Sequence, residues 1–290
     1  MKQKQAFCES HDTESAEGGG AFLSHIRTSI AATIVLTIIV SGIYPLIVWG
    51  VAQVIFPNKA NGSLVKRDGT PTTRDEEAVG SSLLGQNFAA AGYFHPRPSA
   101  AGNGYDATSS GGSNLGPLSA KLIRGTIKAT TMPATKPSDP PVSGPDVVDY
   151  DGISDRIVHY CLDNNIPFDS SIALDSFKDK DGNVDDVKLI KSFNDDKMPL
   201  TITPKILIPG DAVTGSGSGL DPHISPRNAE LQMERVAKAR GVSVDKIHEL
   251  IDEHTDRPDL GIFGDAGVNV LMLNIALDVK YPLPASQSIR

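Results

Sequence analysis

The chain has little of what usually marks a soluble enzyme. Its 290 residues hold two cysteines, Cys8 and Cys161, and neither has the C-x-x-C or Cys/His spacing of a zinc site. There is no block of Lys and Arg, and the formal net charge is −8. Nucleic acid is therefore excluded as a partner, because neutralising phosphates needs clustered cations. Neither Ser216 nor Ser218 in Gly215-Ser216-Gly217-Ser218-Gly219 has glycines two residues to each side, so a nucleophile elbow is missing. Gly111-Gly112-Ser113-Asn114-Leu115-Gly116 lacks the Gly-Lys-Ser/Thr ending of a phosphate loop and does not fit G-x-G-x-x-G. Its backbone donors can cradle an anion, but a plain turn is the better reading. The acidic run from Asp179 to Asp186 places Gly182 too early for a calcium loop and reads as a turn at Asp181-Gly182 between Ser176-Phe177 and Val187-Leu189-Ile190.

The most informative absence is charge between Arg27 and Lys59. That stretch offers roughly thirty largely apolar residues where about 20 suffice to cross a bilayer. A cleaved signal peptide carries an apolar core of only roughly 7–15 residues, so residues 28–57 read as an uncleaved transmembrane helix. Pro45 falls inside it, where a missing N–H can kink a helix or be tolerated by neighbours. The preceding residues 1–27 are a polar tail with acids and Gly18-Gly19-Gly20, a composition with little to bury. Lys2, Lys4 and Arg27 face Lys59, Lys66 and Arg67 across the span, so the positive-inside rule leaves orientation open.

The remaining length suffices for one large or two small domains. Residues 61–117 are dense in Gly, Ser, Asn and Pro and suit short strands and ordered loops, with a strand at Gly62-Ser63-Leu64-Val65 and a tight turn at Asp68-Gly69. The stretch from Thr131 to Pro145, with several prolines, reads as a linker or an extended excursion. Ser154 can cap a short helix carrying Ile157, Val158, Cys161 and Leu162 and ending near Asn164-Asn165. Ser225-Pro226 opens and Gly241 closes a helix whose core side includes Leu231, Met233 and Val236. Ser243 caps a second, with Ile247, Leu250 and Ile251 as its stripe, and Asn269 opens an apolar helix through Leu277. His95, His223 and His254 lie near Asp106, Asp221, Asp256 and Asp259 in sequence. They make a carboxylate–histidine metal site conceivable, but without an i, i+4 ligand pair capping and surface hydrogen bonds are the better account. Tyr93-Phe94-His95-Pro96-Arg97-Pro98-Ser99 suits either a rigid contact surface or a loop whose aromatics enter the core.

A set of ordered segments resembles the KdpC family, the C subunit of the Kdp-type potassium-transporting P-type ATPase. The segments are Gly42-Ile43-Tyr44-Pro45-Leu46, Phe56-Pro57-Asn58-Lys59-Ala60-Asn61-Gly62, Gly80-Ser81-Ser82-Leu83-Leu84-Gly85-Gln86-Asn87-Phe88, Tyr93 to Ala100 and Ser109 to Pro117. They continue with Ser216 to Ser225, Arg235-Val236-Ala237, His254-Thr255, Leu260 to Gly264 and Val268 to Leu271. The resemblance implies an α+β chain: one N-terminal transmembrane helix, then a mixed α/β extracytoplasmic domain with a helical C-terminal part. That domain divides into residues 58–130 and 206–290 around a lineage-specific insert, 131–205. It implies a non-catalytic accessory subunit in the plasma membrane, partnered by the bilayer, a potassium-selective channel-like subunit and an ATP-hydrolysing P-type subunit. In the family the subunit is described as a catalytic chaperone that raises the pump's affinity for ATP, which acts through the complex rather than as a stably bound cofactor. Gln86, Ser110, Gly111, Gly112 and Ser113 correspond to the residues proposed to meet nucleotide. Pro45, Tyr93, His95, Arg97, Asp221 and His223 are the candidates for partner contact or positioning, with no metal and no catalytic residue expected. An extracytoplasmic location would keep cytoplasmic ATP away from Gln86 and Ser110 to Ser113. The competing function is a membrane-anchored extracytoplasmic metal-binding or hydrolytic module.

Overall fold

A computed structural model describes residues 17–132, 142–258 and 260–283. The chain divides into two units, residues 1–62 and 63–290. In the first, helix α1 (Glu17–Thr37) runs into a π-helical segment (Ile38–Ile43) and then α2 (Tyr44–Ile55), with α3 (Pro57–Ala60) as a terminal turn. The apolar helix spans Phe22–Ile55 and no part of its most apolar window is buried. Helix therefore begins well before residue 28, inside the expected polar tail, whose residues 1–16 lie outside the described residues.

Pro45 does not break the span. It stands at the second residue of α2, immediately after the π segment, where the Tyr44 N–H reaches back to the Ile39 carbonyl, five residues earlier. An α-helical proline clashes with the carbonyl four residues before it. Widening the preceding turn into a π-bulge moves that carbonyl aside.

The second unit opens with an antiparallel sheet of β1 (Leu64–Lys66), β2 (Pro71–Thr72) and β3 (Ala78–Ser81), in the order β2-β1-β3. The β1–β2 turn closes as Asp68-Gly69 suggested, with Gly69 at φ +82° and its N–H on the Lys66 carbonyl. A long loop region follows, then α4 (Ala120–Arg124), β4 (Thr126–Met132) and β5 (Val142–Tyr150). The pairing of β4 with β5 favours the extended excursion over the linker, since strands occupy both ends of the proline-rich stretch. Residues 133–141 lie outside the described residues.

Helix α5 (Ile153–Asp163) is capped by the backbone of Gly152 rather than by Ser154. Gly152 packs against the backbone of residues 123–125, and a Cβ there would run into the Gly125 amide, so the crossing of hairpin and helix admits no side chain. Next come β6 (Phe168–Ser170), α6 (Asp186–Phe193) and β7 (Ile202–Pro204), with β6 and β7 paired. The turn at Asp181-Gly182 is real, held by the Lys178–Val184 bridge and by Asp179 accepting the Asp181 and Asn183 amides. Its flanks are not strands: Ser176 and Phe177 end a 3₁₀ turn and Val187 to Ile190 belong to α6. The Asp185 side chain accepts the Lys188 amide and starts a helix where periodicity suggested a hairpin arm. Val158, Phe177, Leu189, Phe193 and Leu200 form a separate apolar core.

After α7 (Gly210–Val213) come β8 (His223–Ile224), α8 (Pro226–Arg240), α9 (Val244–Glu253), β9 (Thr255–Asp256), β10 (Gly267–Asn269) and α10 (Val270–Lys280). The strands form a sheet in the order β8-β10-β9. Three of the expected caps are in place. Ser225 accepts the Asn228 amide, Gly241 is left-handed at φ +67°, and Asn269 accepts the Met272 amide. Ser243 occupies the cap position of α9 without a side-chain bond. The main core joins Phe94, Ile224, Val236, Ile247, Leu250, Val268, Leu273 and Leu277.

The inner face of α8 differs from the expected one. Leu231 and Met233 are only half-buried, while Asn228, Gln232, Arg235 and Arg240 are buried beside Ala229, Val236 and Ala237. Gln232, Arg235 and Arg240 hold the backbone of residues 91–95, which passes through the core without a strand partner. Arg235 donates to the carbonyls of Ala91 and Tyr93, Arg240 to that of Gly92, and Gln232 bonds both the amide and the carbonyl of His95. Asn274 on α10 does the same for Phe94. Buried backbone groups must be paired, and here side chains supply the partners that a sheet would otherwise provide.

Candidate functional site

The Ser-Gly-Gly loop lies directly on the Ser216–Gly219 segment. The Gly111 amide and the Ser110 hydroxyl both donate to the Ser218 carbonyl, at 2.8 and 3.1 Å. Ser99 Oγ donates to the Gly219 carbonyl at 2.6 Å and accepts the Tyr105 amide. Two glycines make this approach possible. A Cβ on Gly219, at φ +68°, would stand 2.6 Å from the Gly111 oxygen, and one on Gly112 would stand 2.9 Å from the Gly217 oxygen. Ser110 and Gly111 thus spend their donors inside the protein. Ser113 is exposed.

Beyond that stacked pair of loops, an open cleft of about 720 Å³ is lined by Arg97, Asp211, Asp221, His223, Asp256 and Phe263, among others. Arg97 donates to Asp221 Oδ2 at 2.9 Å and to the Gly215 carbonyl at 3.3 Å. Asp221 Oδ1 accepts the His223 amide, and His223 Nε2 stands 3.0 Å from Asp256 Oδ2. Hydrogen bonding to His223, with the Arg97 charge nearby, lowers the Asp221 carboxyl to about 2. His223 is raised, chiefly by Asp221 and further by Asp256. Asp211 accepts from the Ser225 amide and hydroxyl and from Asn228, which ties this cleft to the start of α8.

Gln86 belongs elsewhere. Its side chain donates to the Val79 carbonyl and lines a second cleft, about 970 Å³, with Tyr93, Asn274 and Asp278. Tyr93 donates to Asp278 Oδ2 at 3.0 Å and lies under the Arg240 guanidinium, 4.8 Å from it. His95 is turned inward; burial, aided by the Arg235 charge, pulls it down to about 4. The structure therefore brings Arg97, Asp221 and His223 together and stacks Ser110 to Ser113 on the segment just before Asp221. It separates the side chains of Gln86, Tyr93 and His95 from that cleft.

Of the three histidines considered with neighbouring acids, only His223 meets its carboxylates. His95 Nε2 faces the Ala90 carbonyl and His254 Nδ1 the Leu250 carbonyl, Asp106 caps its own turn, and Asp259 lies outside the described residues. Among the described residues, the group whose ligand atoms come close enough to hold one metal ion is a different one, Asp155, His159 and Asp186, with those atoms within 4.8 Å of one another. Its sequence signal is the i, i+4 spacing of Asp155 and His159 on α5.

Residues 26–148 and 182–279 match the sequence model of the KdpC family, the K+-transporting ATPase c chain. The chain is 38% identical over 250 residues to the potassium-transporting ATPase KdpC subunit of Mycobacterium tuberculosis H37Rv, covering 86% of this chain and 95% of the relative. It is 40% identical over 265 residues to that of Caulobacter vibrioides NA1000, covering 91% and 98%. Against that of Nitratidesulfovibrio vulgaris Miyazaki F it is 38% identical over 258 residues, covering 88% and 94%. Residues 149–181 stand outside the family model and inside the expected insert. With the apolar helix, the stacked glycine loops and the Arg97–Asp221–His223 cleft all inside the matched segments, this chain belongs to the KdpC family.

Proposed function

We propose that this chain is the accessory subunit of an ATP-driven, high-affinity potassium uptake complex, anchored in the plasma membrane by the helix from Phe22 to Ile55. The observation that carries the reading is the extent of the family match, which takes in both that helix and the body through residue 279. The body lies outside the cytoplasm against the potassium-selective, channel-like subunit, and the chain stabilises the union of that subunit with the ATP-hydrolysing one. The unburied apolar faces of α1 and α2 offer themselves to lipid and to partner helices, with the π-bulge before Pro45 as a feature for close packing. On the body, exposed Phe263 lines the charged cleft, and an exposed apolar side chain beside fixed charges suits a protein contact.

A chaperone effect on ATP affinity is assigned to coupling through the assembly. The internal commitment of Ser110 and Gly111 to the Ser218 carbonyl supports this, because those donors would have to leave it to hold a phosphate. The test is affinity purification of the tagged full-length chain in mild detergent from potassium-limited cells, followed by mass spectrometry. Co-purification of the channel-like and P-type subunits, lost when residues 61–290 are deleted, is the expected result. Recovery of the chain alone from cells expressing all subunits would refute it.

A further inference from the structure

On α5, Asp155 and His159 are one helical turn apart and share a face. Packing of α5 against the start of α6 brings Asp186, the first residue of that helix, to the same point. One ligand atom from each of the three lies within 4.8 Å of the other two, and His159 Nε2 is 2.8 Å from Asp186 Oδ1. An ion pair accounts for that last contact, but not for Asp155. Asp155 is 4% exposed and its Oδ1 is buried without a hydrogen-bond partner. A buried carboxylate oxygen left unpaired is costly, and the neighbouring Arg156 supplies it no hydrogen bond. Arg156 bonds Asp151 and the Val213 carbonyl instead.

We propose that Asp155, His159 and Asp186 form a binding site for a divalent transition cation of the zinc class, with solvent completing the coordination. An imidazole with two carboxylates suits zinc, whereas magnesium and calcium favour all-oxygen shells. Ligand atoms at about 2.1 Å from a tetrahedral ion stand roughly 3.4 Å apart. The half-exposed side chains of His159 and Asp186 have room to close that gap onto the fixed Asp155, and their exposed side leaves a coordination position for water. Asp155 and His159 fall in the interior stretch outside the family model and Asp186 inside it, and the site does not depend on the proposed role in potassium uptake.

The experiment uses the untagged full-length protein in detergent, stripped of metal by chelation and titrated with Zn²⁺ alone, with calorimetry and elemental analysis as readouts. One Zn²⁺ per chain is expected, undisturbed by millimolar Mg²⁺ or Ca²⁺. Asp186→Asn and His159→Gln should each weaken binding at least about tenfold, while His223→Gln, in the other histidine–carboxylate cluster, leaves it unchanged. Circular dichroism confirms the fold of each variant. Co²⁺ provides a second readout through visible bands that change in His159→Gln. Absence of stoichiometric binding, retention of wild-type affinity in both variants, or loss in His223→Gln would overturn the proposal.

Discussion

Two of the apolar cores among the described residues of the body are built in different ways. The core around α8 and α10 buries Gln232, Arg235, Arg240 and Asn274 among its aliphatic residues and uses them to hold an extended segment. The core around α5 and α6 is an apolar cluster of Val158, Phe177, Leu189, Phe193 and Leu200. In the first, position is specified by directional bonds that only one arrangement satisfies; in the second, by volume. Polar bonds should therefore make the first core fragile to loss of a single donor, whereas the second should respond in proportion to the space vacated.

Arg235→Met gives the sharpest break. It removes the donors to the carbonyls of Ala91 and Tyr93 and to the side-chain oxygens of Asn164 and Gln232. Unpaired buried acceptors cost about 1–3 kcal/mol each, and partial relaxation brings the expected loss to about 3–5 kcal/mol. Leu189→Ala in the other core should cost about 2–4 kcal/mol by cavity formation. Urea denaturation of the full-length chain, followed by fluorescence and circular dichroism, measures both. An Arg235→Met loss smaller than that of Leu189→Ala would show that the α8 core also rests on volume.

Sequence pattern carried the helices and caps of the first core, and α5 of the second, better than the polar contacts that each core makes. Val158 and Cys161 fall on the buried side of α5 at the spacing that identified the helix, and the caps at Ser225, Asn269 and Gly241 were visible as residue types. The inner face of α8 was not visible, because hydropathy assigns Arg235, Arg240 and Gln232 to solvent. Their partners are carbonyls some 140 residues away in sequence, with no local trace of that pairing. The turn at Asp181-Gly182 was legible, but the α6 start at Asp185 competed with a strand pattern and a side-chain cap decided it. At the candidate site Asp221 and His223 could be picked out as residue types in a turn. Asp256, which completes their contact, came from a strand 33 residues on, and its pairing required the β8-β10-β9 sheet.

Acid should separate the two cores further. His95, buried against α8, titrates near 4 in the folded protein, because burial and the Arg235 charge disfavour its cation, and near 6.5 when unfolded. Its contribution is fully present above about pH 6.5 and is lost as pH falls toward 4, by about 3 kcal/mol at most. Asp155 acts in the opposite sense: pushed up to about 6 by burial, it favours the folded state as pH falls from 6 toward 3.8. The difference between wild type and His95→Gln isolates the first effect. Wild-type stability should fall relative to the variant between pH 6.5 and 4, and parallel profiles would remove His95 from the account.

The smallest effect concerns Asp155, a buried side chain beside the apolar core that is left with an unpaired oxygen among the described residues. In chelator-treated protein at pH 7.5, the buried Asp155 carboxylate bears a charge while its Oδ1 has no donor. Asp155→Asn keeps the shape and removes the charge, so the metal-free variant should be more stable than wild type by about 1–2 kcal/mol, within the usual cost of an unpaired buried polar group. The corresponding amide substitution at Asp186, half-exposed and bonded to His159, should change stability by less than about 1 kcal/mol. Adding Zn²⁺ should reverse the order, because mass action raises the melting temperature only of a chain that binds the ion. Wild type would then overtake Asp155→Asn, and thermal melts with and without the metal read both halves. If Asp155→Asn destabilises the metal-free protein, the carboxylate has a structural partner in solution, and the contrast between a polar-bonded core and an apolar one no longer holds at α5.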